Sequence, residues 1–162
     1  MKVGIIGAGT MGSGIAQAFA QAGNEVFLCD IKAEWAEGGK AKIAKGLAGR
    51  VAKGKMEQAD ADAITARITT GTNEIVKDCD LVVEAALEKM DLKKELFKQL
   101  DELCKPECIL ASNTSSLSIT EIGAGLSRPV IGMHFFNPAP VMKLVEVIAG
   151  ENTPDETRTD EH

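Results

Sequence analysis

Tyrosine is absent, tryptophan occurs once, and aromatic residues make up 4% of the chain. Little material is therefore available for the stacked platforms that hold single-stranded nucleic acids. Positive charge is in deficit, with Lys plus Arg 18 against Asp plus Glu 24 and a net charge of −6. That balance argues against a general nucleic-acid binder, which would need a basic stripe to meet phosphates, and any phosphate-bearing ligand must be held locally. No apolar run approaches the roughly 18 residues of a membrane span. The first strand-like segment starts at Lys2, which leaves no room for a cleavable leader, so the expectation is a cytosolic protein without a membrane segment. His134 and His162 are the only histidines, and Cys29, Cys79, Cys104 and Cys108 show no paired CxxC spacing. Ordinary reduced thiols and no metal site are expected. What is present is enough apolar residue, 44% of 162, for one core of about domain size.

Lys2-Val3-Gly4-Ile5-Ile6 is a short apolar run ended by glycines, and Gly12 to Ala22 reads as a small-residue helix. Glu25 to Asp30 is a second strand, so the first thirty residues predict a βαβ unit with parallel strands and a right-handed crossover. A long helix follows from Ala33 to about Gly54, with Ile43, Leu47 and Val51 on one stripe. Its five glycines, Gly38, Gly39, Gly46, Gly49 and Gly54, each cost about 1 kcal/mol relative to Ala in a helix interior, so this helix leans on packing or a ligand. Ala59 to Ala66 predicts a short helix, Ile68 to Thr70 a short strand, and Asp80 to Ala86 a strand buried on both faces. Leu92, Leu96, Leu100 and Leu103 mark one face of a helix stopped by Pro106. Ile109 to Ala111, Val130 to His134 and Leu144 to Ile148 read as strands, with a hydroxyl-rich loop at Ser112 to Ser116 and a short helix around Ile119 to Ala124. The fold class is α/β, a Rossmann-type doubly wound, mostly parallel sheet with a long helical insertion after the second strand. Residues 1–150 are expected to form the nucleotide-binding domain, and the polar 151–162 tail, which cannot bury a core, is expected to fray.

Gly7-Ala8-Gly9-Thr10-Met11-Gly12 matches GxGxxG between the first strand and its helix. The first glycine takes the tight turn, the second admits a pyrophosphate close to backbone, and the third lets helix pack on strand. The N–H groups of the helix start, at Thr10 and Met11, face the phosphate. Asp30 closes the second strand 18 residues beyond Gly12, where a carboxylate accepts hydrogen bonds from an adenosine ribose. That carboxylate repels a 2′-phosphate. Lys32 lies nearby but no Arg follows it, so NAD is expected as cofactor rather than NADP.

His134 ends a strand, and a proline-containing link leads into the strand with Glu146. If the two strands pair about a centre near residue 140, His134 and Glu146 lie opposite each other. A carboxylate on one ring nitrogen orients the other for proton transfer and raises its basicity. Taken alone, such a pair is more readily a structural lock on a strand end. Its location favours chemistry, because the Ser112 to Ser116 loop leaves the sheet edge where open α/β folds bind ligands.

Four ordered motifs together resemble the N-terminal half of the L-3-hydroxyacyl-CoA dehydrogenase family, in particular the bacterial 3-hydroxybutyryl-CoA dehydrogenases. They are Gly-Ile-Ile-Gly-Ala-Gly-Thr-Met-Gly-Ser-Gly-Ile-Ala (4–16), Ala-Ser-Asn-Thr-Ser-Ser-Leu (111–117), His-Phe-Phe-Asn-Pro (134–138) and Met-Lys-Leu-Val-Glu-Val-Ile (142–148). The resemblance implies that His134 is the general acid/base, Glu146 its orienting partner, and Ser115 the hydrogen-bond partner of the substrate oxygen. It places Asn137 as a second polar group in the pocket and Asn113 on the cofactor side. Glu88 and Lys93 match positions near the nicotinamide ribose, against the plainer reading of both as the solvated start of a helix. Lys53 matches a lysine that contacts coenzyme A, while Arg50 and Lys55 read equally well as a solubilising helix face. The implied substrate is an acyl-CoA.

The family continues into a helical domain that closes the cleft, builds the dimer and supplies a catalytic asparagine. That domain is expected to be absent from this chain, whose last residues Asp160-Glu161-His162 do not resemble the continuation. Two expectations follow. One is a 3-hydroxyacyl-CoA dehydrogenase or its cofactor-binding half. The other is a non-catalytic NAD-binding module, or a subunit that needs a helical partner. A docking face left uncovered would favour self-association or a partner chain.

Overall fold

The computed structural model describes residues 1–85, 89–112 and 121–132. Their strands are β1 (Lys2–Ile6), β2 (Glu25–Cys29), β3 (Ile68–Gly71), β4 (Leu81–Glu84), β5 (Ile109–Ser112) and β6 (Val130–Gly132). The helices are α1 (Thr10–Gln21), α2 (Ala33–Ala52), α3 (Gln58–Ala66) and α4 (Met90–Leu103). The strands form one six-stranded sheet in the order β3-β2-β1-β4-β5-β6. Every pairing is parallel. The chain therefore builds outward from β1 on one side, returns, and builds outward again from β4. That reversal opens a crevice between β1 and β4 at the carboxyl ends of the strands, the place where open α/β sheets bind ligands.

Alternation along each strand divides the interior into two layers. Val3, Ile5, Leu28, Leu81 and Val83 join Phe19, Ile43 and Leu47 under α1, α2 and α3. Ile6, Val82 and Leu110 join Leu96, Phe97 and Leu100 under α4. Both faces of the sheet are covered, which is why β1 and β4 read as continuous apolar runs rather than alternating ones. The helical insertion between β2 and β3 is two helices, α2 and α3, packed on each other and on the α1 side.

Burial in α4 departs from the leucine stripe expected of it. Lys93, Leu96, Phe97 and Leu100 are buried, whereas Leu92 is 52% and Leu103 37% exposed. At about 100° per residue the four buried side chains span an arc of about 100°, and Leu92 and Leu103 fall just beyond one edge of it. The buried stripe is set by Phe97 and by a lysine, not by the leucines alone. The helix also ends at Leu103, ahead of Pro106.

Arg128 closes the carboxyl end of α4. Its guanidinium donates to the carbonyls of Asp101 (3.0 Å), Cys104 (3.2 Å), Lys105 (2.7 Å) and Cys108 (2.9 Å), and its Nε to Asp101 Oδ1 (2.8 Å). Asp101 and Cys104 offer carbonyls that the helix leaves orphaned at its end, Lys105 and Cys108 lie in the turn beyond it, and a cation there also suits the helix dipole. The Asp101 carboxylate further accepts from the Ser127 N–H (2.8 Å) and hydroxyl (2.7 Å). Burial alone would raise the Asp101 pKa, but the Ser127 donors and the Arg128 charge outweigh it and hold the carboxyl below its usual range. A depressed native pKa means stabilisation that is present above the unfolded value of about 3.9 and lost as pH falls through the lower native value. Asp101→Asn is expected to cost about 1–3 kcal/mol at pH 7. The gap to the parent chain, measured by urea unfolding, should close below about pH 4; a gap independent of pH would count against this reading.

Candidate functional site

The turn after β1 is built for close approach. Gly7 has φ of 108°, a left-handed conformation that glycine adopts without a Cβ clash, and its N–H donates to Cys29 O at 2.8 Å, tying the turn to the end of β2. A Cβ on Gly12 would sit 1.7 Å from Gly7 O, so α1 can lie this close to the turn only with glycine there. A Cβ on Gly9 would meet nothing within 4 Å. The first and third glycines are thus needed by the fold, while the second faces open space.

At the start of α1, Gly9 is the N-cap, no side chain caps the helix, and no acid occupies its first turn. Thr10 and Met11 are exposed there. The positive end of the helix dipole is left to an external anion. The back of the turn is closed by α2, where a Cβ on Gly39 would lie 2.8 Å from Ser13 Oγ and 3.0 Å from Ala8 Cβ and O. This close contact explains one of the glycines that the long helix carries at a cost. A Cβ on Gly38, Gly46 or Gly49 would meet nothing.

Asp30 follows the last residue of β2. Its Oδ2 accepts from Ala8 N at 2.9 Å and its Oδ1 from Ile31 N at 2.7 Å, while its own N–H donates to Gly71 O at 3.2 Å. The carboxylate is therefore clamped across the glycine turn and cannot swing aside without breaking these bonds. A carboxylate has about four acceptor sites, so the two backbone donors leave capacity for vicinal ribose hydroxyls. Lys32, in contrast, lies over the Trp35 ring, 5.2 Å from its centroid. A pyrophosphate at Gly9 and a ribose at Asp30 fit the residues present.

Across the crevice, at the end of β4, lies a glutamate that sequence reasoning did not single out. Glu84 Oε1 accepts from Lys93 Nζ at 2.6 Å and from Ser112 Oγ at 2.7 Å. Glu84 is 1%, Lys93 5% and Ser112 0% exposed. Lys93 is therefore not the solvated start of a helix; its ammonium points inward onto β4. Register explains the grouping: Glu84 pairs with Ile6 of β1 and with Ser112 of β5. Glu84 and Ser112 have the same facing as Val82 and Leu110, toward α4. An acid at the end of a strand covered on both faces has to find a partner, and that was the signal available in the sequence.

Lys53 caps α2 and is exposed, with Arg50 and Lys55 exposed beside it. The four cysteines are free and buried. Burial pushes the Cys79 thiol up to about 12 and raises the Cys29 thiol as well. Among the described residues no group of His, Cys, Asp or Glu could hold a metal ion, and no helix is long and apolar enough to cross a membrane. Glu88, Asn113, Ser115, His134, Asn137 and Glu146 lie outside the described residues, as do the Leu144 to Ile148 strand, most of the Ser112 to Ser116 loop and the 151–162 tail.

Comparison with known proteins converges on one family. A family profile described as 3-hydroxyacyl-CoA dehydrogenase, NAD binding domain, matches residues 2–161. The 3-hydroxybutyryl-CoA dehydrogenase of Clostridioides difficile is 52% identical over 156 residues, covering 94% of this chain and 56% of that protein. The crystal structure of 3-hydroxybutyryl-CoA dehydrogenase from Escherichia coli K12 superposes with a TM-score of 0.81 at 44% identity, over 88% of this chain and 31% of that one. That of (S)-3-hydroxybutyryl-CoA dehydrogenase from Ralstonia eutropha gives 0.79 at 47% identity, over 86% and 50%. The chain spans about half the length of the curated relatives it matches.

Proposed function

Because the chain belongs to the 3-hydroxyacyl-CoA dehydrogenase family, as its NAD binding domain, we propose that it serves the NAD-dependent interconversion of 3-hydroxyacyl-CoA and 3-oxoacyl-CoA thioesters. The substrate pair is 3-hydroxybutyryl-CoA and acetoacetyl-CoA, the compartment the cytosol. The observation that carries the cofactor half of this reading is the Asp30 carboxylate, bonded to Ala8 N at 2.9 Å across a turn whose Gly9 faces open space.

When bound, NAD supplies the hydride acceptor of the oxidation and, reduced, the hydride donor of the reverse reaction. The chain supplies the proton chemistry. His134 takes the proton of the 3-hydroxyl in oxidation and returns it in reduction, with Glu146 holding its other ring nitrogen and raising its basicity. Ser115 hydrogen-bonds the reacting oxygen and Asn137 a second polar point of the substrate. Gly7, Gly9, Thr10, Met11 and Gly12 receive the pyrophosphate and Asp30 the adenosine ribose. Glu88, Lys93 and Asn113 serve the nicotinamide side, and Lys53 meets a phosphate of coenzyme A.

Asp30→Ala removes both the ribose acceptor and the clamp on Ala8 N. NADH affinity should fall, and the preference for NADH over NADPH should shrink by roughly tenfold, as expected for loss of a charge-assisted bond. Unchanged binding of both cofactors would show the ribose to lie elsewhere. The function itself is tested by mixing the purified chain with NADH and acetoacetyl-CoA and following the loss of NADH absorbance. Turnover is the expected result. A folded chain that binds NADH without oxidising it would favour the cofactor-binding module, or a subunit that needs a helical partner.

A further inference from the structure

The clamped Asp30 marks the adenosine side of the crevice, at the end of β2. A dinucleotide whose pyrophosphate lies at Gly9 must carry its other half across the switch point, toward the end of β4. The buried Glu84–Lys93 pair lies there, at 2.6 Å, with Ser112 on the same carboxylate oxygen. Glu84 is one strand position from the turn: it pairs with Ile6, and the N–H of the next residue, Ala85, donates to Ile6 O at 3.0 Å. The nicotinamide ring is a cation when oxidised and neutral when reduced. Any net charge buried at this end of β4 therefore acts differently on the two forms of the cofactor, and an ion pair, whose field is only that of a dipole, distinguishes them far less.

We propose that Glu84 is a positioning residue which, by holding Lys93 and Ser112 on one carboxylate oxygen, neutralises the lysine at the nicotinamide side and so sets the relative affinity of the site for NAD+ and NADH. The inference rests on the cofactor reading above. A lysine brought to this site without its glutamate would repel the oxidised ring. A glutamate without its lysine would attract it. Ser112 ties the pair to the end of β5, from which the chain runs directly into Asn113 and Ser115, so one carboxylate orients groups from β4, β5 and α4.

The test is the ratio of the dissociation constants of NAD+ and NADH, measured by calorimetry on the full chain. Glu84→Gln should raise that ratio, weakening NAD+ relative to NADH by about tenfold, the size expected for one uncompensated charge near the ring at an effective protein dielectric. Lys93→Met should move it in the opposite direction, and the double variant should return it toward the parent value. Should Glu84→Gln be too unstable to assay, Lys93→Met reads the same charge with the opposite sign. Single variants that weaken both cofactor forms equally, leaving the ratio unmoved, would reduce Glu84 to a structural ion pair and overturn the proposal. A parent chain that is folded and binds neither form would instead overturn the cofactor reading itself.

Discussion

Gly12→Ala should unfold or severely loosen the domain, while Gly9→Ala should leave it folded and cofactor-deficient. The two glycines belong to one motif, but their surroundings differ. A Cβ on Gly12 would lie 1.7 Å from the carbonyl oxygen of Gly7 and 2.8 Å from its carbon, contacts with backbone that no rotamer change relieves. Either α1 moves off β1, or the turn that holds Gly7 at φ of 108° is rebuilt. Overpacking of this kind costs about 3 kcal/mol or more, a large part of the roughly 5–15 kcal/mol that stabilises a typical domain. Gly9 has φ of −72° and ψ of −167°, which alanine adopts freely, and its Cβ would meet no atom of the chain. Losing glycine at this N-cap should cost within about 1 kcal/mol. The new methyl would stand where the pyrophosphate approaches, so NADH binding should weaken by at least about tenfold, as one displaced charge-assisted bond would give. Urea unfolding and NADH titration of both variants distinguish the roles. Equal stability of the two would mean that α1 does not pack on the turn as described.

His134→Gln should abolish turnover and spare the cofactor. Removing a general acid/base costs about 10²–10⁴ in rate, and glutamine keeps polarity and approximate reach while having no proton to exchange near neutral pH. NADH affinity should stay within about threefold, since the phosphate and ribose contacts assigned here lie at Gly9 and Asp30 and are untouched. The pairing of a rate assay with acetoacetyl-CoA and a binding titration separates the two effects. A large loss of NADH binding in this variant would mean that His134 belongs to the cofactor site rather than to proton transfer.

The parts of the fold that could be read from the sequence are those fixed locally. β1, the glycine turn, α1 and β2 follow from an apolar run, glycines at set offsets and an acid at a set distance, all within thirty residues. The five strands after β1 begin within one residue of where the sequence places them as far as β6, because four are short apolar runs bounded by polar or turn residues and β3 is marked by the β-branched Ile68, Thr69 and Thr70. Long-range pairing was not legible in the same way. Glu84 finds Ser112 28 positions away and Arg128 finds Asp101 27 positions away, contacts made by strand register and by the return of the chain to α4. The leucine spacing of α4 misled because, on a helix of 3.6 residues per turn, the step of four back from Leu96 to Leu92 and the step of three on from Leu100 to Leu103 both turn to the same side, so Lys93 and Phe97 complete the buried stripe in place of Leu92 and Leu103. Asp30 was legible as an acid at the end of β2, but not as a clamp on Ala8, since that bond depends on the φ of Gly7 bringing the turn back over β2.

The measurement that bears most directly on the account is a calorimetric titration of the 162-residue chain with NADH and, separately, with NADPH. One NADH per chain, with NADPH weaker by about tenfold or more because the clamped Asp30 carboxylate repels a 2′-phosphate, is the predicted result. A folded chain that takes up no NADH, or one that prefers NADPH, would contradict it.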